Sequence, residues 1–234
     1  CALPILLVTD TGDLTLTSGI YVPKSSVGAI GTYAVAFNTG SNALLFYKAG
    51  ANLATTDSKY NTWVRVGTTD WQKSSPTIKG TSTGGLPSAG GSQWTVTINT
   101  TTVSLGNGSS TRSVAQVAAS INAATITGVT AADVGGKLYL YATSAATSGG
   151  VTADGKIAIA NVGSGTILSL LGITGGTYAC PVVQFSKHSS VPQWKSINST
   201  PRPSGSVWIK TTNFNYGANL ATYRSEEHTS ELQS

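Results

Sequence analysis

The sequence predicts a mainly β protein with a small α+β module: short antiparallel strands, one clear helix at about 113–124 and a short helical turn at about 166–171. Three observations predict it. Short runs rich in β-branched and aromatic residues recur between Gly/Asn/Ser clusters, the signature of strands and tight turns. Only Ser113–Ala124 combines a helical apolar period with a start signal. Finally, 40% of residues are hydrophobic while charged residues make up 10%. That composition favours a packed chain over the low-hydrophobicity, high-charge disordered class.

The elements follow in order. Tyr33–Phe37 (YAVAF) and Ala43–Tyr47 (ALLFY) flank the turn-rich Asn38–Asn42 and read as a hairpin. Thr62–Val66 (TWVRV) alternates, pauses at Gly67–Asp70 and resumes at Trp71, with Thr77–Gly80 closing the unit. Residues 81–92 (TSTGGLPSAGGS) have linker composition. Trp94–Asn99 and Thr102–Leu105 form a second hairpin, followed by the loop Gly106–Ser110. Ser113 and Gln116 have capping-box spacing, and Val114, Val117, Ala118 and Ile121 form one stripe. Gly128–Val134 and Lys137–Ala142 (KLYLYA) flank Gly135-Gly136, which suits a two-residue turn. Lys156–Val162 is a further strand, and Thr166–Leu171 a helical turn ended by Gly172.

Five segments result: a β-rich unit (1–80), a Gly/Ser/Pro linker (81–92), an α+β module (93–178), the start of a second β-rich unit (179–223), and a tail (224–234). The hexapeptide Gly-Ala-Asn-Leu-Ala-Thr occurs at Gly50–Thr55 and again at Gly217–Thr222, which suggests repeated β units. Glu226, Glu227 and Glu231 are the chain's only glutamates, and all three lie in the tail. Arg224–Ser234 (RSEEHTSELQS) resembles the in-frame translation of a common short-read sequencing adapter. With Cys1 at the start and no Met, the chain is expected to be an internal fragment of a longer, metagenomic reading frame.

Composition narrows the chemistry. Residues 1–223 carry 13 Lys and Arg against six Asp, a net charge of +7, but the basic residues are scattered and form no patch of the kind nucleic acid requires. No stretch approaches the roughly 20 apolar residues of a membrane span. Cys1–Val8 is apolar without a basic n-region or a cleavage pattern, so a buried strand is expected there. The two cysteines, Cys1 and Cys180, offer no zinc spacing, and a disulfide between them stays open.

Motifs that suggest catalysis lack their partners. Asp10-Thr-Gly12 is half of an aspartic-protease loop, and no second D-T-G supplies the other carboxylate. Gly80-Thr-Ser82-Thr-Gly84 matches G-x-S-x-G but opens the linker, not a strand-to-helix elbow. Gly106-Asn-Gly108 lacks the third glycine of a dinucleotide loop. Asn99, Asn107 and Asn198 sit in N-x-[ST] sequons. With no Glu and only His188 in residues 1–223, acid–base candidates are few, and the expectation is a non-enzyme with no catalytic residues, metal or cofactor. Trp63, Trp71, Trp194 and Trp208 are candidates for stacking on a glycan or partner. Core packing is the competing reading for large aromatics.

Two resemblances follow from these residues. Thr95–Tyr178 (TVTIN, VAQVAASINAA, GVTAA, GGKLYLYATS, KIAI, LLGITGGTY) resembles a repeat module, related to the hook-IN type of flagellar hook-associated proteins, that recurs in tailed-phage virion proteins. Pro192–Lys195 through Pro201–Thr212 resembles a segment of large structural proteins of marine myovirus-like phages, where an SVWIKTT…GA phrase recurs in tandem. Together they cover most of 94–222, and 1–90 matches in style. The resemblance implies a virion structural protein of tail, baseplate or fibre, packed against other virion subunits and copies of itself, with a host-surface glycan as a further contact. Alternatives are a flagellar hook-associated or adhesin-type protein at the bacterial surface, and a carbohydrate-binding module.

Overall fold

The computed structural model describes residues 5–148, 155–163, 165–186, 205–211 and 220–224. Across them the protein is mainly β, as expected, with four sheets of three or four strands, a separate two-stranded hairpin and short helices.

The first sheet has the order β1 (Ile5–Val8), β4 (Tyr33–Ala36), β5 (Leu44–Lys48), β6 (Trp63–Arg65). The expected hairpin is present, with Tyr33 opposite Tyr47 and Ala36 opposite Leu44. The sheet departs from an all-antiparallel plan at one edge. β1 runs parallel to β4, pairing Ile5 with Tyr33 and Val8 with Ala36. Parallel neighbours need a crossover of about a dozen residues or more. Here residues 9–32 supply it, and a hairpin takes the place usually held by a helix: β2 (Leu14–Thr17) returns as β3 (Ile20–Pro23). Ser18 and Gly19 both have positive φ, 49° and 78°, which matches hairpin twist. The hairpin lays Ile20, Tyr21 and Val22 against a cluster of Val8, Leu14, Ala34, Ala36, Phe46 and Trp63.

Trp71 corrects a local expectation. The chain does not resume as a strand there. Thr68 caps a helical turn, α1 (Thr69–Gln72), with its side chain accepting the Trp71 amide at 3.3 Å. Alternation on either side of a Gly-Thr-Thr-Asp turn looks the same whether the second half is strand or helix.

The module is built as its pattern predicts. β8 (Trp94–Ile98) and β9 (Thr101–Gly106) form a hairpin, and β12 (Lys156–Asn161) and β13 (Gly176–Ala179) extend that sheet. β10 (Val129–Val134) and β11 (Lys137–Ala142) turn at Gly135-Gly136, with φ of 60° and 80°. Helix α2 (Val114–Ala123) carries the complete capping box: Gln116 N donates to Ser113 Oγ at 3.2 Å, and Ser113 N donates to Gln116 Oε1 at 3.0 Å. Its buried residues are Val114, Val117, Ala118 and Ile121. Asn122 ties it to β10 through both amide atoms, exchanging bonds of 2.9 and 2.8 Å with the Ala131 backbone. Helical turn α3 (Ile167–Leu170) runs to Gly172, at φ 65°.

The stretch 81–92, expected as a linker, is not free, and the strand before it already belongs to the module. β7 (Ile78–Lys79) adds to β11 as the third strand of the module's second sheet. Leu86 is fully buried in the module core, and Leu86 and Arg112 exchange two backbone hydrogen bonds of 2.8 Å. Gly/Ser composition reports backbone freedom. It cannot report that one leucine within the stretch anchors it.

The third unit repeats the start of the first. β14 (Val183–Ser186) runs parallel to β15 (Val207–Thr211), which pairs antiparallel with β16 (Leu220–Arg224). This is the β1–β4–β5 arrangement again, and in both cases the parallel pair departs from the antiparallel strands otherwise expected. The two hexapeptides are not equivalent within it. Gly50–Thr55 forms turns after β5, whereas Leu220–Thr222 lie in β16. Arg224–Ser234 is expected to be disordered or a frayed helix that packs on nothing; Arg224 departs from this by pairing with Val207 in β16, and 225–234 lie outside the described residues.

Candidate functional site

The three units meet in one buried cluster. Tyr33, Tyr47, Ala49, Leu53, Val64 and Trp71 come from the first unit, Tyr141 from the module and Val207 from the third. Val183 packs at its margin. Tyr33 and Tyr47 face each other across the β4–β5 pair with ring centroids 4.9 Å apart, tilted by 44°, as cross-strand aromatics do.

Gln72, at the end of α1, is the polar tie of this junction. Its Oε1 accepts the Ser144 amide of the module at 2.9 Å, and its Nε2 donates to Pro181 O at 3.2 Å and to Cys180 Sγ at 3.5 Å. One side chain therefore joins three stretches far apart in sequence. Tyr141 adds a second tie: its hydroxyl donates to Asn52 O at 2.6 Å. Burial, followed by neighbouring Tyr139 and Asp57, pushes its phenol well above the ordinary tyrosine value, so it stays a protonated donor.

Beside the junction lies a cavity of about 310 Å³ between the 53–59 loop, α1 and β10. Leu53, Ala131 and Ala132 give it an apolar lining, while Asp57, Lys59, Asp70 and Lys73 add charges of both signs. Lys59 and Asp70 pair at 2.7 Å, each about half exposed, so the pair contributes little to stability. Asp57 Oδ1 accepts the Lys59 amide at 2.7 Å, an Asx turn that fixes the loop.

The tryptophans can be placed in turn. Trp63 is 8% exposed, and its Nε1 donates to Lys24 O at 3.0 Å. Trp71 is 1% exposed, inside the junction. Neither presents a face to a sugar, which corrects their candidacy as a glycan platform: each was needed in a core. Trp194 and the side chain of Trp208 lie outside the described residues, and the Trp208 backbone pairs with Tyr223.

Lys48 is a feature the pattern did not reveal. It is 2% exposed at the end of β5, and its ammonium donates to the backbone oxygens of Ser25 (2.5 Å), Gly28 (2.7 Å) and Val27 (2.9 Å), 5.7 Å from the centre of the Trp63 ring. Burial lowers its pKa. A buried cation needs bonded compensation, and here carbonyl oxygens and an aromatic face provide it. A lysine ending a hydrophobic strand ordinarily reads as the strand's solvated exit, so only the fold exposes this role.

The catalytic-looking motifs are turns. Asp10 Oδ1 accepts Gly12 N at 2.7 Å and caps the 3-10 turn Thr11–Asp13. Gly80 follows β7 directly, where an added Cβ would lie 2.6 Å from Leu171 O. Gly106–Gly108 joins an antiparallel hairpin to α2, not the parallel unit a dinucleotide loop needs. Asn99 accepts Ala158 N at 2.8 Å, locking β8 to β12. His188, Asn198 and Cys1 lie outside the described residues. Among the described residues no group of three His, Cys, Asp or Glu could hold a metal ion, and no helix is long and apolar enough to cross a membrane. No family model, no curated protein and no solved structure matches the chain.

Proposed function

We propose that this chain is a non-enzymatic structural segment of a tailed-phage virion (tail, baseplate or fibre), working through packing between β-rich units and between subunits. The observation that supports this reading is the doubled topology. A parallel pair followed by an antiparallel hairpin occurs at β1–β4–β5 and again at β14–β15–β16, with the α+β module between them. Repeated small units that bury a face on their neighbours are the logic of arrays. The junction around Gln72 and Trp71 makes one body of the pieces, as a load-transmitting part requires. Sequence resemblance of 95–178 and 192–212 to phage structural repeats points the same way.

The test is to recover the parent contig from adapter-trimmed reads. Continuation past Tyr223 into further SVWIKTT-like units beside capsid or tail genes is the expected result. Continuation into a catalytic domain, or flagellar neighbours, overturns the proposal.

A further inference from the structure

The chain's one Asn-Gly pair, Asn107-Gly108, sits in the loop between β9 and α2. Asn107 is exposed, and its Oδ1 accepts two hydrogen bonds from the same residue, Ser109 Oγ at 2.7 Å and Ser109 N at 3.3 Å. Among the described residues the Gly108 amide nitrogen donates to no acceptor. The Gly108 carbonyl is held firmly by Ala89 N at 2.7 Å and Ser88 Oγ at 3.3 Å.

We propose that Asn107 is a self-modification site, converting to aspartate and isoaspartate through a succinimide. Gly108 is buried, so it is as the loop opens to water that its amide loses its proton to hydroxide and its nitrogen attacks Asn107 Cγ. The negative charge that develops on Oδ1 falls on the oxygen already facing the Ser109 N–H and O–H, so these two donors act as an oxyanion hole. The C–Nδ2 bond then breaks, and the nitrogen leaves as ammonia after taking a proton from water. Water opens the ring at either carbonyl. One opening leaves an ordinary aspartate at this position, and the other routes the main chain through the side chain and lengthens it by one methylene. Both add a negative charge to the loop.

The isoaspartyl form has a structural consequence. A Cβ placed on Gly108 would collide with Ser92 O, so the loop and the 86–92 strap are already in contact. A longer backbone at 107–108 shifts the Gly108 carbonyl off Ala89 N and Ser88 Oγ. The strap then loses its bonds to the Gly108 carbonyl and keeps those between Leu86 and Arg112.

The experiment incubates the folded chain at neutral and mildly alkaline pH. Peptide mapping follows residues 80–112, and isoaspartate is read by enzymatic carboxyl methylation. The expected result is conversion confined to Asn107, rising with hydroxide concentration, abolished by Asn107→Gln and slowed several-fold by Ser109→Ala. Persistence of the amide in the folded chain, while the urea-unfolded chain converts, overturns the proposal. So does an unchanged or faster rate in Ser109→Ala, because the serine would then restrain the side chain and not assist it.

Discussion

Replacing Gln72 with leucine tests whether the junction is held by its polar tie or by its apolar contacts alone. Leucine keeps the side chain's bulk and loses all three hydrogen bonds. Pro181 O is left buried and unpaired, at about 1–3 kcal/mol, while the exposed Ser144 amide can return to water at about 1 kcal/mol. Leucine regains about 1 kcal/mol from added apolar burial. The net expectation is a loss of about 2 kcal/mol, equivalent to a midpoint lowered by about 4–8 °C for a chain of this size. Urea and thermal unfolding followed by tryptophan fluorescence read it directly, since Trp71 lies in the same cluster. Gln72→Glu should cost more than leucine, because it keeps the acceptor for Ser144 but sets a carboxylate against a carbonyl oxygen. Wild-type stability in Gln72→Leu, or a glutamate variant milder than the leucine one, would refute the reasoning.

Three further outcomes are expected. Lys48→Met should leave global stability within about 1 kcal/mol, since the lost bonds are offset by the desolvation no longer required, yet speed tryptic cleavage after Lys24 as the 25–28 carbonyls lose their clamp. Ser113→Ala should cost about 1 kcal/mol by removing the α2 cap, measured by urea unfolding. The raised pKa of Tyr141 makes its stabilisation complete below the unfolded value near 10 and lost progressively as pH rises above it. Tyr141→Phe should therefore be the less stable protein at pH 8, by about 1 kcal/mol, and lose less on passing pH 10. Parallel stability curves for the two proteins would remove Tyr141 from the alkaline transition.

The legible parts of this fold are those whose signals are local. Ser113 and Gln116 announce α2 because the cap uses two residues three apart, and Gly135-Gly136 announces its hairpin because the turn needs two positive φ angles. The illegible parts depend on partners distant in sequence. Nothing within Ile5–Val8 says that its neighbour is Tyr33–Ala36 running the same way, because strand direction is settled by the crossover. The burial of Lys48 depends on three carbonyls some twenty residues upstream. For the candidate site the outcome was similar. Trp63 and Trp71 stood out by residue type alone, but their environment was decided by β2–β3 and by the junction, whereas Gln72 and Tyr141 carried no local mark at all.

The parallel pairing of β1 with β4 and of β14 with β15 gives the chain a mechanical direction. Tension that draws β1 by its N-terminal end away from the C-terminal end of β4 slides the two strands along each other. The hydrogen bonds across their four paired positions then share the load and must yield together. The β2–β3 hairpin, pulled at its open end, gives way one pair at a time from Leu14–Pro23 towards Thr17–Ile20. The crossover joins the C-terminal end of β1 to the N-terminal end of β4, so under this stretch it carries no load until the parallel pair slips; the pair acts as a clamp, and the hairpin behind it is then released as slack.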